Sequence, residues 1–294
     1  VAQPHQRRAA DLATGVQRPL GARALPRVGL LCAAAAAVRA GLRGDPGARL
    51  GAVLRSGLRR PEGALLAALV AILFLRAATG PLWMGDGRSI WLFQAKRLFT
   101  HGFVPLTELR HPDSLWSHPD YPLLFPASLA QLAALHGAFD ERLAATAIPL
   151  LLGACLGALW LLAREALGRT AGAAFTLGLA LSLDRLATGG YADGLLALLL
   201  LVQFLAFASG GRDAIAWIAA ACASLVKGEG IFLALPVAAL LTATRIRKEG
   251  RVSWRGLAPW LCLLPGPAYT LWVRAQGVDT VLKFNSPVHV KHLQ

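Results

Sequence analysis

The stretch that decides the fold is LAATAIPLLLGACLGALWLLA, from Leu143 to Ala163. It carries no charged side chain, and about 20 consecutive apolar residues are enough for a helix to cross a bilayer core of about 30 Å. A helix of this length on a soluble protein would normally keep a polar stripe. We therefore predict a transmembrane helix at this position.

Other apolar blocks lie around this one, and the chain as a whole is 55% hydrophobic and only 16% charged. Lipid accepts only helices or closed barrels, and the blocks lack the alternating pattern of barrel strands. A block shorter than a full span can still cross the bilayer if the polar side chains at its ends reach the interface. We predict an all-α, polytopic transmembrane bundle of about seven spans, with the other six spans near residues 64–75, 170–183, 194–211, 214–226, 230–244 and 256–273.

The positive charge of the chain is concentrated at its beginning. Eleven arginines lie in the first sixty residues, opposed only by Asp11 and Asp45. Arginine and lysine mark cytoplasmic segments of membrane proteins, so we expect residues 1–62 to form a basic cytoplasmic segment. The formal net charge of +14 then reflects membrane topology, and we expect no nucleic-acid partner.

A long loop, residues 81–142, follows the first span and should lie outside the cytoplasm. Its apolar stretch 122–139 is long enough to cross, but a crossing would place every later cluster of arginines and lysines outside. We expect it to lie in the outer interface. Interfacial helices in this loop and the turns 184–193 and 227–230 would then share one extracytoplasmic surface of a transmembrane domain spanning 63–294.

Four ionisable residues at this surface are candidates for chemistry. Asp86 directly follows the first span and is placed to act as general base on an acceptor hydroxyl, although it also suits a helix N-cap. Asp193 precedes a span and has the same two interpretations. Lys227 and Glu229 interrupt an apolar stretch, where charges are costly and therefore functional candidates, unless they pair with each other in a hairpin turn.

The segment Ser89–His101 combines aromatic and basic residues, as interfacial helices do. Arg88, Lys96 and Arg97 are its cations. One of them could hold a lipid phosphate, or all could anchor the segment to anionic head groups.

Two His-Pro-Asp triplets occur in the same loop, at 111–113 and 118–120. Two histidines and two aspartates could ligate a metal, but their spacing matches no strong zinc pattern. A structural loop over the site is the alternative. We predict no cofactor, and the spacing does not support a divalent cation.

Several short motifs together resemble the GT-C superfamily of membrane glycosyltransferases, in particular its bacterial branch related to protein mannosyltransferases and lipid A aminoarabinose transferases. The resemblance covers roughly residues 63–245. The motifs that carry it are Gly85-Asp86, Trp91, Gln94-Ala95-Lys96, His118-Pro119-Asp120-Tyr121-Pro122-Leu123-Leu124, Tyr191-Ala192-Asp193 and Lys227-Gly228-Glu229-Gly230.

The resemblance implies an essential carboxylate in the first outer loop, at Asp86, and a second acidic position, at Asp193. It implies transfer of a sugar from a polyprenyl-phosphate carrier to a lipid, glycan or protein acceptor on the extracytoplasmic face of the cell (inner) membrane. We further expect Arg88, Lys96, Arg97, His118, Asp120, Tyr121, Lys227 and Glu229 to bind substrate. Members of the superfamily are usually longer, so we expect this chain to be incomplete at its C-terminus. Many carry a Lys-Pro-Pro motif where this chain has His118–Pro122, which leaves the sugar and the acceptor undefined.

Two other functions fit the same composition. A transporter or flippase would line a pathway with buried ionisable groups, although such proteins often show repeats or broken helices that this sequence lacks. A non-catalytic relative could instead assist the assembly of a surface polysaccharide.

Overall fold

The computed structural model describes residues 59–80, 85–102, 106–110, 117–183, 189–209, 213–250 and 260–278. Within these segments every regular element is helical, which confirms the predicted helical bundle. The basic segment predicted for residues 1–62 lies almost entirely outside the described residues.

Eleven α-helices and one π-helical segment make up the described chain. In chain order they are α1 Pro61–Thr79, the π-helix Gly87–Leu92, α2 Phe93–His101, α3 Leu106–Leu109, α4 Leu124–His136, α5 Glu141–Ala145, α6 Ala147–Leu167, α7 Arg169–Ser182, α8 Ala192–Ala208, α9 Asp213–Val226, α10 Glu229–Glu249 and α11 Pro265–Ala275.

Successive long helices run back and forth between two ends of the bundle. At one end the guanidinium of Arg169 donates from Nε and Nη2 to both carboxylate oxygens of Glu62, at 2.6 and 3.1 Å. At the other end Arg88 Nη2 lies 3.5 Å from Glu141 Oε2. Helix α6 lies between these two ion pairs, and its 21 residues span about 30 Å at 1.5 Å per residue.

We call the first the Glu62 end and the second the Asp193 end, because α8 begins there. Gly87 packs its backbone directly against Gly189 and Gly190, leaving no room for a Cβ atom at position 87. Only two residues separate Gly190 from Asp193. The segment after α1 is therefore docked on the turn that precedes α8.

The later helices are packed equally closely at the Asp193 end. A Cβ atom at Gly230 would collide with the carbonyl of Ala223, and one at Gly266 with the carbonyl of Ser224. These two glycines let α10 and α11 approach the last turns of α9. The close approach brings the segment Lys227–Glu229 and α11 to the same end as Asp193.

Two helices of the described chain are long and apolar enough to cross a membrane: Pro61–Thr79, and Glu141–Leu167, which combines α5 and α6. The other apolar helices, such as α8 with 17 residues and α9 with 14, are shorter than the roughly 20 residues that a span needs. The count of about seven spans is therefore not confirmed and stays a prediction.

The described parts of the predicted outer loop, residues 81–142, fold into a packed layer on the bundle. Helix α4 covers most of the stretch 122–139 expected at the interface, and it buries Phe125 and Leu129 completely. The edge of Phe125 meets Trp91 at a centroid distance of 5.4 Å. The helix predicted for Ser89–His101 forms, but its first four residues belong to the π-helix.

Candidate active site

The candidate site lies at the Asp193 end, where an ion pair joins two predicted residues. Lys227 Nζ lies 2.9 Å from Asp193 Oδ1. Asp193 occupies the first turn of α8, after an extended Tyr191 at the N-cap, and a carboxylate is favoured at a helix N-terminus by the helix dipole. Lys227 lies in the break between α9 and α10, with only 19% of its side chain exposed, against 52% for Asp193.

Tyr121 connects this ion pair to the rest of the site. Lys227 Nζ lies 5.8 Å from the centroid of the Tyr121 ring, close enough for a cation–π attraction. The Tyr121 hydroxyl donates to Glu229 Oε1 at 3.4 Å. Burial raises the pKa of Tyr121, and the negative charge of Glu229 raises it further, so this hydroxyl remains a donor. Lys227 thus contacts both Asp193 and Tyr121, and Glu229 contacts Tyr121.

An aromatic stack holds the Tyr121 ring. Trp91 stacks on Tyr121 with centroids 5.5 Å apart and planes inclined by 20°. His118 stacks on it with centroids 4.4 Å apart and planes inclined by 22°. The three rings come from the π-helix and from the turn before α4, so they fix these two segments relative to each other.

Asp120 directly precedes Tyr121 and is partly buried. Its Oδ1 atom is buried and has no hydrogen-bond partner within the described segments. Burial raises the pKa of Asp120, and Glu229 raises it further, whereas its backbone hydrogen bond, His118 and Arg274 lower it. Among the ionisable groups of the cluster, Asp120 is the carboxyl whose charged form is least stabilised by solvent.

Asp86 lies at the same end but outside this contact network. It is exposed and sits immediately before the π-helix, a helix type that occurs often at functional sites. Within the described residues its side chain makes no cap hydrogen bond. The docking of Gly87 on Gly189 and Gly190 still places Asp86 close in the fold to the start of α8.

The three cations predicted to bind phosphate, Arg88, Lys96 and Arg97, differ in their surroundings. Arg88 faces Glu141, and Lys96 is exposed. Arg97 Nε lies 3.2 Å from Glu108 Oε2, and its guanidinium lies 4.1 Å above the Phe93 ring. Burial lowers the pKa of Arg97, while Glu108 raises it. Lys227 is a cation that contacts the Tyr121 ring directly.

The first His-Pro-Asp triplet, residues 111–113, lies outside the described residues. In the described segments no group of three or more histidine, cysteine, aspartate and glutamate side chains is arranged to hold a metal ion. The second triplet contributes His118 to the aromatic stack and Asp120 to the carboxylate group.

Sequence reasoning assigned no role to two residues that contribute to the site. Gln94 is 4% exposed, and its Nε2 donates to the carbonyls of Ser117 and His118 at 2.6 and 2.8 Å. Helix α11 supplies Thr270, whose hydroxyl donates to the Asp120 carbonyl at 3.3 Å. Gln94 could have been singled out as a polar residue on the apolar side of a helix, because buried polar groups need partners. The 150 residues between Asp120 and Thr270 give no local signal.

Comparisons of this chain with family models, with curated proteins and with solved structures yield no match.

Proposed function

We propose that this protein is a membrane glycosyltransferase that moves a sugar from a polyprenyl-phosphate carrier to an acceptor at the membrane surface. The observation that carries the proposal is the convergence of Asp193, Lys227, Glu229 and Tyr121 at one end of an apolar helical bundle. Three separate parts of the chain thus place side chains where they could contact the head group of a lipid.

Helix α1 supports the location in a membrane. Only 22% of its apolar stretch is buried in the protein, whereas 56% is buried in the stretch that includes α6. Leu65, Ile72 and Leu75 of α1 are 51–60% exposed. A core helix of a soluble protein would hide such side chains, but a lipid-facing helix leaves them on its surface.

We infer the topology from charge. With residues 1–62 cytoplasmic, the Glu62 end faces the cytoplasm and the Asp193 end faces outward, in a multi-pass protein of the cell (inner) membrane with about seven spans. An activated sugar at the outward face must arrive on a lipid carrier, whose phosphate lies at the membrane surface. The acceptor would be a lipid, a glycan or a protein.

The chemistry would be a single displacement at the anomeric carbon. The acceptor hydroxyl forms the new carbon–oxygen bond and gives its proton to the Asp86 carboxylate, acting as general base. The bond between the anomeric carbon and the phosphate oxygen breaks, and its electron pair leaves with the phosphate. Lys227 would stabilise the charge on that phosphate, and Asp193 would serve as the second acidic group.

This displacement inverts the anomeric configuration. A product with the same anomeric configuration as the donor would contradict the proposed mechanism. Nuclear magnetic resonance of the purified product distinguishes the two outcomes through the anomeric coupling constant.

The test of the function is a membrane assay with radiolabelled polyprenyl-phosphate sugars. Wild-type protein should transfer label to an acceptor, and Asp86→Asn and Asp193→Asn should lose most of this transfer. Glu62→Gln is the matched control, because it removes a carboxylate at the opposite end, and it should retain transfer. Equal transfer by wild type and Asp86→Asn would remove Asp86 from the mechanism, and uptake of the labelled lipid without transfer would favour a flippase.

A further inference from the structure

The turn before α4 contains an unusual backbone conformation at the site. His118 has φ of 48° and is the one non-glycine residue of the described segments with positive φ. Few residues other than glycine adopt this left-handed region, although histidine does so more often than most. The next residue is Pro119, and a residue before proline is normally driven to extended φ values. The local sequence therefore opposes the conformation that His118 adopts.

Gln94 supplies the contacts that oppose this local preference. Its single Nε2 group donates to the carbonyls of Ser117 and His118, which are the two carbonyls on either side of the His118 Cα atom. The same His118 carbonyl also accepts from the Tyr121 amide at 3.0 Å. Gln94 is thus linked by hydrogen bonds to the residue that positions the Tyr121 ring.

The environment of Gln94 makes these bonds hard to replace. Gln94 and Ser117 are only 4% and 2% exposed, so water has little access to the carbonyls if the amide is removed. A buried carbonyl that loses its donor carries a desolvation cost. The turn can then restore hydrogen bonds to these carbonyls only by moving. The strained backbone of His118 is the point at which it would move.

We infer that Gln94 is a positioning residue of the site, which holds His118 in the left-handed conformation so that His118 and Trp91 fix Tyr121 against Lys227 and Glu229. The inference rests on the proposed function for its activity readout, but its structural part is independent of that function. Gln94 itself lies behind the turn and contacts its backbone.

A double-mutant cycle between positions 94 and 118 tests this role. Gln94→Leu should reduce transfer by about five- to tenfold, which lies within the range of interaction energies found for residues in contact. His118→Gly lets the backbone adopt positive φ without strain, although it removes the imidazole. In the His118→Gly background, Gln94→Leu should therefore reduce transfer by clearly less than in wild type. Additive effects at the two positions would overturn the inference.

Gln203 provides a matched control for loss of a buried glutamine. It is completely buried, and its Nε2 also donates to a backbone carbonyl, that of Ala234 at 3.3 Å. It lies in α8 about 15 Å along the helix from Asp193. Gln203→Leu should show no coupling to His118→Gly. If both glutamine variants couple equally to His118→Gly, the effect of Gln94 is a general loss of packing, and the inference is wrong.

Gln94→Glu keeps the shape of the side chain. It therefore provides a second test if Gln94→Leu fails to fold. An ionised glutamate cannot donate, but a protonated one offers one O–H donor, and burial favours the protonated form. Transfer by Gln94→Glu relative to wild type should therefore rise as the pH falls from about 8 to about 6. A ratio that stays constant with pH would contradict a role that depends on donation.

Thermal unfolding in detergent separates this inference from the proposed function. The same four proteins of the cycle are compared by melting temperature, without substrate. Non-additive melting temperatures with no transfer by wild type would retain the positioning role and reject the glycosyltransferase. Additive melting temperatures together with normal transfer by wild type would reject the positioning role alone.

Discussion

Replacing Lys227 by methionine should separate activity from stability. The Lys227–Asp193 pair at 2.9 Å is worth about 1.4 kcal/mol if the dielectric constant of water applies. Asp193 is half exposed, so solvent screening and the lost side-chain entropy reduce the net contribution to less than about 1 kcal/mol. Methionine retains most of the apolar stem of lysine. Loss of a group that stabilises transition-state charge instead lowers the rate by about 100- to 1000-fold.

The assay measures two quantities on the same preparation of Lys227→Met. Thermal unfolding in detergent should show a small decrease in melting temperature, while the initial rate of sugar transfer in membranes should fall by at least about 100-fold. A rate within a factor of about three of wild type would refute the phosphate-binding role of Lys227. A loss of stability large enough to leave little folded protein would refute the estimate for the ion pair.

Arg169→Met is the control for this prediction. It also removes a cation from an ion pair, with Glu62 at the opposite end of the bundle. Its transfer rate, corrected for the amount of folded protein, should equal that of wild type. A comparable loss of rate in both variants would mean that any ion-pair loss impairs the protein.

Three further predictions concern the packing and the ionisation of the site. Gly87→Val should detach the π-helix Gly87–Leu92 from Gly189, because a Cβ atom at position 87 has no room there. Overpacking costs about 1–3 kcal/mol, so limited proteolysis should cleave this segment faster than in wild type. Asp120→Asn should raise the melting temperature at neutral pH. The folded-state pKa of Asp120 is raised above 3.8, so the ionised carboxylate lowers stability as pH rises through that raised pKa, whereas asparagine does not. The difference from wild type should vanish below about pH 4, and no difference at neutral pH would contradict the prediction. Tyr121→Phe loses a long hydrogen bond of 3.4 Å but keeps its ring contacts, so the free energy of unfolding should change by less than about 1 kcal/mol in denaturant titrations.

The apolar pattern predicted the helices well, because a helix is encoded by neighbouring residues. Charge placement also predicted that the segments around Asp86, Asp193 and Lys227 belong to one surface, and the fold brings them to one end of the bundle. Which side chains contact one another at that end could not be predicted in the same way. Lys227 lies 34 residues from Asp193, and Tyr121 lies 108 residues from Glu229, so no spacing rule relates them.

Two local features were also missed. The π-helix Gly87–Leu92 forms where Gly87 meets the backbone of Gly189 and Gly190, and a contact between distant segments cannot be seen in a local pattern. The left-handed His118 contradicts the preference of a residue before proline. Sequence rules fail at such positions because tertiary contacts override local preference, and natural proteins break local rules mostly at functional or strained sites.

The contact between α11 and the Asp120 turn has a consequence for biosynthesis. Thr270 reaches the Asp120 carbonyl, and Gly266 seats α11 against the end of α9. During translation, the loop that carries Tyr121 is synthesised about 150 residues before α11, the helix that contacts it. At about 5–20 residues per second, the loop lacks this contact for several seconds or longer. A nascent chain stalled before residue 260 should therefore leave this loop open to proteases, and protection of the loop would report that α11 has docked.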